Sequence, residues 1–169
     1  MRGLGIENTF ISASEKTMHD RIENQYLNRS TPTATARLIE TFFENRLFAS
    51  KYKKFLIRIM TETSTGQDKL KGLLPPDCTV GHKTGSSDRT STGVKIADND
   101  AGFVLTPDGK RYYIAVFVSD SQEDDPTNAS IIARISAIVY DFMIRPTDPN
   151  RPTLCRPESV SADDAAGIP

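Results

Sequence analysis

Long apolar runs, an excess of one charge and clusters of metal-ligand residues are all absent from this 169-residue sequence. The longest apolar stretch falls far short of the roughly 20 residues that span a bilayer, which argues against membrane insertion. Lys and Arg number 21 against 22 Asp and Glu, so no field of one sign favours nucleic acid or an anionic membrane surface. Cysteine occurs only at Cys78 and Cys155, and histidine only at His19 and His82. Two cysteines make no disulfide framework, and without CxxC or Cys/His spacing there is nothing to hold structural zinc. The opening MRGLGIENTF carries no long apolar segment and no cleavage pattern, so no signal peptide is read there.

What is present suffices for one soluble domain, since 37% of the residues are hydrophobic and a chain of this length can bury a core. The 8 Phe and 5 Tyr all lie between Phe10 and Phe142, whereas residues 146–169 hold five of the 10 prolines and no aromatic. The folded unit is therefore expected to be 1–145. Residues 146–169 are expected to be a disordered tail, because they cannot bury enough apolar surface to offset their ordering entropy.

Thr33 to Phe48 places Leu38, Ile39, Phe42, Phe43 and Leu47 on one helical stripe, and Lys51 to Thr61 repeats it with Phe55, Leu56, Ile59 and Met60. Thr79 to Thr84, Ala101 to Thr106 and Tyr112 to Ser119 read as three strands, and Pro107 to Lys110 is a tight-turn sequence that makes the last two an antiparallel hairpin. Asp125 to Asn128 then caps a helix with Ile131, Ile132, Ile135, Ile138, Val139 and Phe142 on one side. Residues 1–32 fit neither period and form a polar excursion, 33–74 are helical, and 78–145 supply the strands and the terminal helix. No internal repeat is visible.

The sharpest local signal is His82-Lys83-Thr84-Gly85-Ser86-Ser87 at the end of the first strand. A lysine and a hydroxyl there can hold a substrate carboxylate, and a glycine lets a ligand lie along the strand edge against exposed backbone amides. A strand ending in an ordinary polar turn would carry the same tripeptide. Two more segments extend the pattern: GLLPPDCTVGHKTGSSD before and through the strand, and ADNDAGFVLTPDGKRYYIAVFVSDS after it. Together with the isoleucine-rich terminal helix they resemble class A serine β-lactamases, in the branch of Bacteroides-type cephalosporinases that have histidine before Lys-Thr-Gly. The resemblance covers about Gly3 to Met143.

This resemblance implies an α/β, β-lactamase/transpeptidase-like fold in which an antiparallel sheet is flanked by helices. It also implies hydrolysis of a small-molecule β-lactam through a serine acyl-enzyme, with no metal or organic cofactor and a periplasmic or secreted location. It gives Lys83 and Thr84 the substrate carboxylate and Ser86 an oxyanion-hole amide, with Gly85 and Ser87 completing the substrate-binding edge. SASEKTMHDRIENQYLNRSTP resembles the family's Ω-shaped loop, which makes Glu15 the catalytic glutamate and His19 its neighbour four residues on, where most class A enzymes have asparagine. A carboxylate beside a water and an ester is a sensible general base. Arg89 and Lys95 are either further positive charge near the carboxylate or, the slightly favoured reading, solvated surface charges.

Of the family's three elements only Lys-Thr-Gly is in place. No Ser-Asp-Asn or Ser-Asp-Gly occurs, and Ser50-Lys51-Tyr52-Lys53 satisfies Ser-x-x-Lys only formally, because it follows the glutamate loop instead of preceding it. The N-terminal part of the fold is therefore expected to be missing, so the chain alone is expected to be inactive and to need a complementing N-terminal half. Two alternatives remain at this point: a penicillin-binding-protein-like acyl transferase, against which Glu15 discriminates, and a non-enzymatic fragment.

Overall fold

A computed structural model describes residues 2–44 and 49–144. The element order is α1 (Glu15–Asp20), α2 (Pro32–Glu44), α3 (Ser50–Thr61), β1 (Thr79–Ser86), β2 (Lys95–Leu105), β3 (Arg111–Ser121) and α4 (Asp125–Ile144), with single 3-10 turns at Arg2–Leu4 and Ile22–Tyr26. The expected tail, 146–169, lies outside the described residues, as does the Asn45-to-Phe48 end of the first predicted helix.

The strands form one antiparallel sheet in the order β1-β2-β3, as the turn sequence predicts. Thr106 and Lys110 close the β2–β3 turn with a backbone hydrogen bond of 2.9 Å, and Gly109 takes a φ of 82° there. Strand alternation gives the sheet two faces. On one, Val80, Val104, Tyr112, Ile114 and Val116 form a core with Leu70, Cys78 and Ile132 of α4. On the other, Phe43 of α2 packs 4.5 Å from the Phe103 ring and 5.6 Å from that of Tyr113. Such ring pairs contribute about 0.5–1.5 kcal/mol each beyond area burial. Glu44 then accepts hydrogen bonds of 2.6 Å from both Arg111 and the Tyr113 hydroxyl, and these two donors, Tyr113 first, hold its carboxyl below the usual range. The sheet is thus clamped between α2 and α4.

Three boundaries depart from the sequence reading. β2 starts at Lys95, six residues before Ala101, because a central strand paired on both sides absorbs the polar Ala97-Asp98-Asn99-Asp100 stretch and buries its carboxylates with partners. Residues between α3 and β1 are not helix but successive tight turns, with Lys69, Gly72 and Leu74 bonding back three residues. The polar excursion contains α1, started by Ser14, whose side chain accepts the Thr17 amide at 3.2 Å.

By length and composition α4 is apolar enough to cross a membrane, a feature that run-length counting missed. Here it buries Asn128, Ala129, Ile132, Ala133 and Ser136 against the domain. Away from the sheet an apolar groove of about 310 Å³ runs between α2 and α3, lined by Leu4, Leu38, Ile39, Phe42, Leu56 and Met60.

Candidate active site

β1 is an edge strand, and its Thr79-to-Ser86 register against β2 runs from Leu105 to Asp98. Ser87 donates its amide to Ala97 at 2.8 Å, and Ala97 returns its own to Ser87 Oγ at 2.9 Å. Because successive strand amides point to opposite sides, the N–H of Ser86 points off the open edge. Facing that edge is a cleft of about 420 Å³ walled by Gly85, Ser86, Ser87, Asp88, Ala97 and Asn99 on the sheet side and by Glu15, Met18, His19, Gln25 and Asn28 on the loop side.

The fold therefore brings Glu15, Gly85, Ser86 and Ser87 to one cleft. Glu15 and His19 are i,i+4 neighbours on α1, with Oε2 and Nε2 3.6 Å apart and both side chains largely in water. Lys83 and Thr84 lie on the same strand but do not line the cleft. The Lys83 ammonium bonds the carbonyl of Thr84, and the Thr84 hydroxyl meets that of Thr65 at 3.1 Å.

Arg89 and Lys95 are not on the cleft. They pair across an extension of the β1–β2 hairpin, and both reach Asp125 at the start of α4, at 2.6 and 3.0 Å. Arg89 also donates to the carbonyls of Gly93 and Glu123. These contacts, Arg89 first, hold the Asp125 carboxyl below its ordinary range. Ser50 caps nothing and belongs to α3, and Lys53 is engaged with the carbonyl of Phe43.

Sequence reasoning overlooked a buried polar row behind β1. Lys69 is paired with Asp98, and His82 with Asp100 at 2.8 Å. Asp100 also accepts the amide of Leu70 at 3.2 Å, while Ser136 donates to the Leu70 carbonyl at 2.8 Å. His82 Nε2 is buried with no protein partner. The readable signal was parity: Asp98 and Asp100 share the sheet face of Gly102 and Val104. Among the described residues no three His, Cys, Asp or Glu side chains gather to hold a metal.

Residues 1–143 match the family model described as "Beta-lactamase enzyme family". A Bacteroides uniformis protein named Beta-lactamase is 55% identical over 141 residues, 83% of this chain and 48% of its own length. Extended-spectrum beta-lactamase PER-1 of Pseudomonas aeruginosa is 37% identical over 145 residues, 86% of this chain and 47% of its own. The crystal structure of a class A beta-lactamase representative from Bacteroides cellulosilyticus aligns with a TM-score of 0.80 at 57% identity, over 84% of this chain and 51% of that one. The chain spans about half the length of the curated relatives it matches.

Proposed function

The chain belongs to the beta-lactamase enzyme family, on its class A branch, and we propose that its cleft is one wall of a site that hydrolyses β-lactam antibiotics through a serine acyl-enzyme. In acylation a serine Oγ bonds the lactam carbonyl carbon, the C–N bond of the ring breaks, and the ring nitrogen takes a proton. The N–H of Ser86, free on the edge of β1, would donate to the carbonyl oxygen as it gains charge; one such donor is worth about 3 kcal/mol in the transition state. Gly85 and Ser87 shape the edge beside it. Lys83 and Thr84 hold the substrate carboxylate, which requires the Lys83 ammonium to leave the carbonyl of Thr84.

In deacylation Glu15 takes a proton from water as the water oxygen bonds the acyl carbon, the ester bond to serine breaks, and the serine oxygen regains a proton. His19 borders the same water position. The serine and its lysine, with the Ser-Asp-Asn element, would come from a complementing N-terminal half of the family fold. The substrate and chemistry go with a periplasmic or secreted setting.

The observation that supports this reading is the cleft itself, whose lining includes both Glu15 and Ser86. Glu15 in that wall favours hydrolysis over penicillin-binding-protein-like acyl transfer, because such transferases typically have no glutamate loop. The test is to refold the chain with an N-terminal half bearing Ser-x-x-Lys and Ser-Asp-Asn and follow a penicillin by mass spectrometry. The expected result is turnover that becomes a trapped acyl-enzyme in Glu15→Gln. Normal turnover by that variant would remove Glu15 from the mechanism, and no reaction with any β-lactam by a folded complex would overturn the reading.

A further inference from the structure

The loop that carries Glu15 is fastened twice, in two different ways. At its base it is fastened to itself. Phe10 and Arg29 exchange backbone hydrogen bonds of 2.8 and 3.0 Å. Asn28 accepts the amides of Ser12 and Ala13 and donates to the carbonyl of Ala13, all at 2.9 Å. These bonds fix the loop's own shape and leave its distance from the sheet open.

The second fastening sets that distance. Tyr26, at the end of the Ile22–Tyr26 turn, donates its hydroxyl to a carboxylate oxygen of Asp120 near the end of β3, across 94 residues of sequence. Asp120 holds a left-handed backbone, φ 51°, a conformation that Asp and Asn adopt more readily than other non-glycine residues. The same turn is rigidly joined to the helix bearing Glu15, because Asn24 donates to the carbonyl of Thr17 at 2.8 Å. Asp120 is therefore linked to α1 by two hydrogen bonds, Tyr26 to Asp120 and Asn24 to Thr17, joined through the backbone of the turn.

We infer that the Tyr26–Asp120 bond is a tether that sets the gap between Glu15 and the Ser86 edge, which makes Tyr26 and Asp120 positioning residues for deacylation. This rests on the function proposed above. Neither side chain touches the reacting atoms. The tether acts on deacylation because that step needs a water held between Glu15 and an ester on the far wall, and misplacement by about 1 Å costs such a step on the order of 100-fold. The phenol is held un-ionised to higher pH than usual, first by this hydrogen bond.

The test has two arms. In the 169-residue chain itself, Tyr26→Phe should speed amide hydrogen exchange in residues 15–24 at least several-fold while Val104 and Ile114 in the sheet stay protected; equal exchange in that loop would overturn the tether. In the chain refolded with an N-terminal half, Tyr26→Phe should lower kcat and KM together, hold kcat/KM within about twofold and let acyl-enzyme build up, with rates within a few-fold of wild type in Asp120→Asn, which keeps both an acceptor and a left-handed residue. Glu15→Gln serves as the reference. If it traps acyl-enzyme while Tyr26→Phe turns over like wild type, the tether is wrong and the function stands. If Glu15→Gln turns over normally, the function falls and the exchange arm alone decides the tether. A fall in kcat/KM and melting temperature without acyl-enzyme would make Tyr26 merely structural and overturn the inference.

Discussion

His82 Nδ1 lies at hydrogen-bond distance, 2.8 Å, from Asp100 Oδ2, and neither side chain reaches water. The other ring nitrogen, Nε2, is buried with no protein partner. Asp100 also accepts the amide of Leu70, so one carboxylate joins the strand before Lys83 to the turns that follow α3. The strand that would hold substrate is thereby braced from behind by a polar contact as well as by the apolar packing of Val80.

Asp100→Ala should therefore cost about 3 kcal/mol or more, because it leaves two buried groups, His82 Nδ1 and Leu70 N, without a partner. Urea denaturation of the chain measures this. A loss below about 1 kcal/mol would mean that water enters and satisfies both groups.

The fold was largely legible in the sequence, and the reasons for the exceptions are specific. Period two exposed β1 and β3 because their alternation is apolar against polar, and the stripe through Phe42 and Phe43 exposed α2 for the same reason. β2 was half hidden: Asp98 and Asp100 occupy core-facing positions and look like a loop until Lys69 and His82 are placed beside them. The resemblance of their segments singles out Glu15 and the Ser86 edge, and both line one cleft. Lys83 and Thr84, singled out on the same strand, are not among the residues that line that cleft. Arg89 and Lys95 stayed open because a charge in a hairpin extension gives no sign of which element it will reach, and Asp125 lies 36 residues beyond Arg89. Tyr26 and Asp120 gave no periodic or motif signal at all.

The Arg89–Asp125–Lys95 junction predicts a pH signature. Asp125 has a depressed folded-state pKa, so its contribution to stability is complete above the ordinary carboxylate range and is lost as pH falls through the lowered value. The difference in melting temperature between wild type and Asp125→Asn should thus be present at about pH 7 and shrink toward zero at about pH 2. A difference that stays constant across that span would show that the junction holds by packing and not by charge. High salt should also shrink it, since the Asp125 side chain is 60% exposed.

Gly66 and Gly85 make a contrasting pair beside Thr84. At Gly66, φ is 64°, and an added Cβ would lie 2.4 Å from Thr84 Cγ2, 3.4 Å from Lys69 Cδ and 3.6 Å from His82 Cε1. Gly66→Ala should cost about 2–4 kcal/mol from left-handed strain and overpacking together. At Gly85 nothing lies within 4 Å of the same atom, so Gly85→Ala should leave thermal stability within about 0.5 kcal/mol. Thermal melts of both variants decide it, and equal losses would mean that the Thr65–Thr84 contact gives way freely.

The last prediction concerns the chain by itself: it should not hydrolyse a chromogenic cephalosporin above background. Ser50 and Lys53 have the spacing of a nucleophile and its base, but Ser50 lies on α3, outside the cleft lining, and the Lys53 ammonium is bound to the carbonyl of Phe43. A nucleophile must lie within hydrogen-bond reach of its base and of the reacting carbon, and this pair meets neither condition. Oxyanion donors can leave residual catalysis when a nucleophile is removed, yet only in a site that still encloses the substrate. Here the cleft has Glu15 on one side and Ser86 on the other and no serine between them with a lysine at hand. Purified chain should give the same rate as Ser50→Ala, and an N-terminal half carrying Ser-x-x-Lys should raise both rates equally. Hydrolysis by the chain alone that disappears in Ser50→Ala would make Ser50 the nucleophile and place the reaction on α3 instead of at the edge of β1.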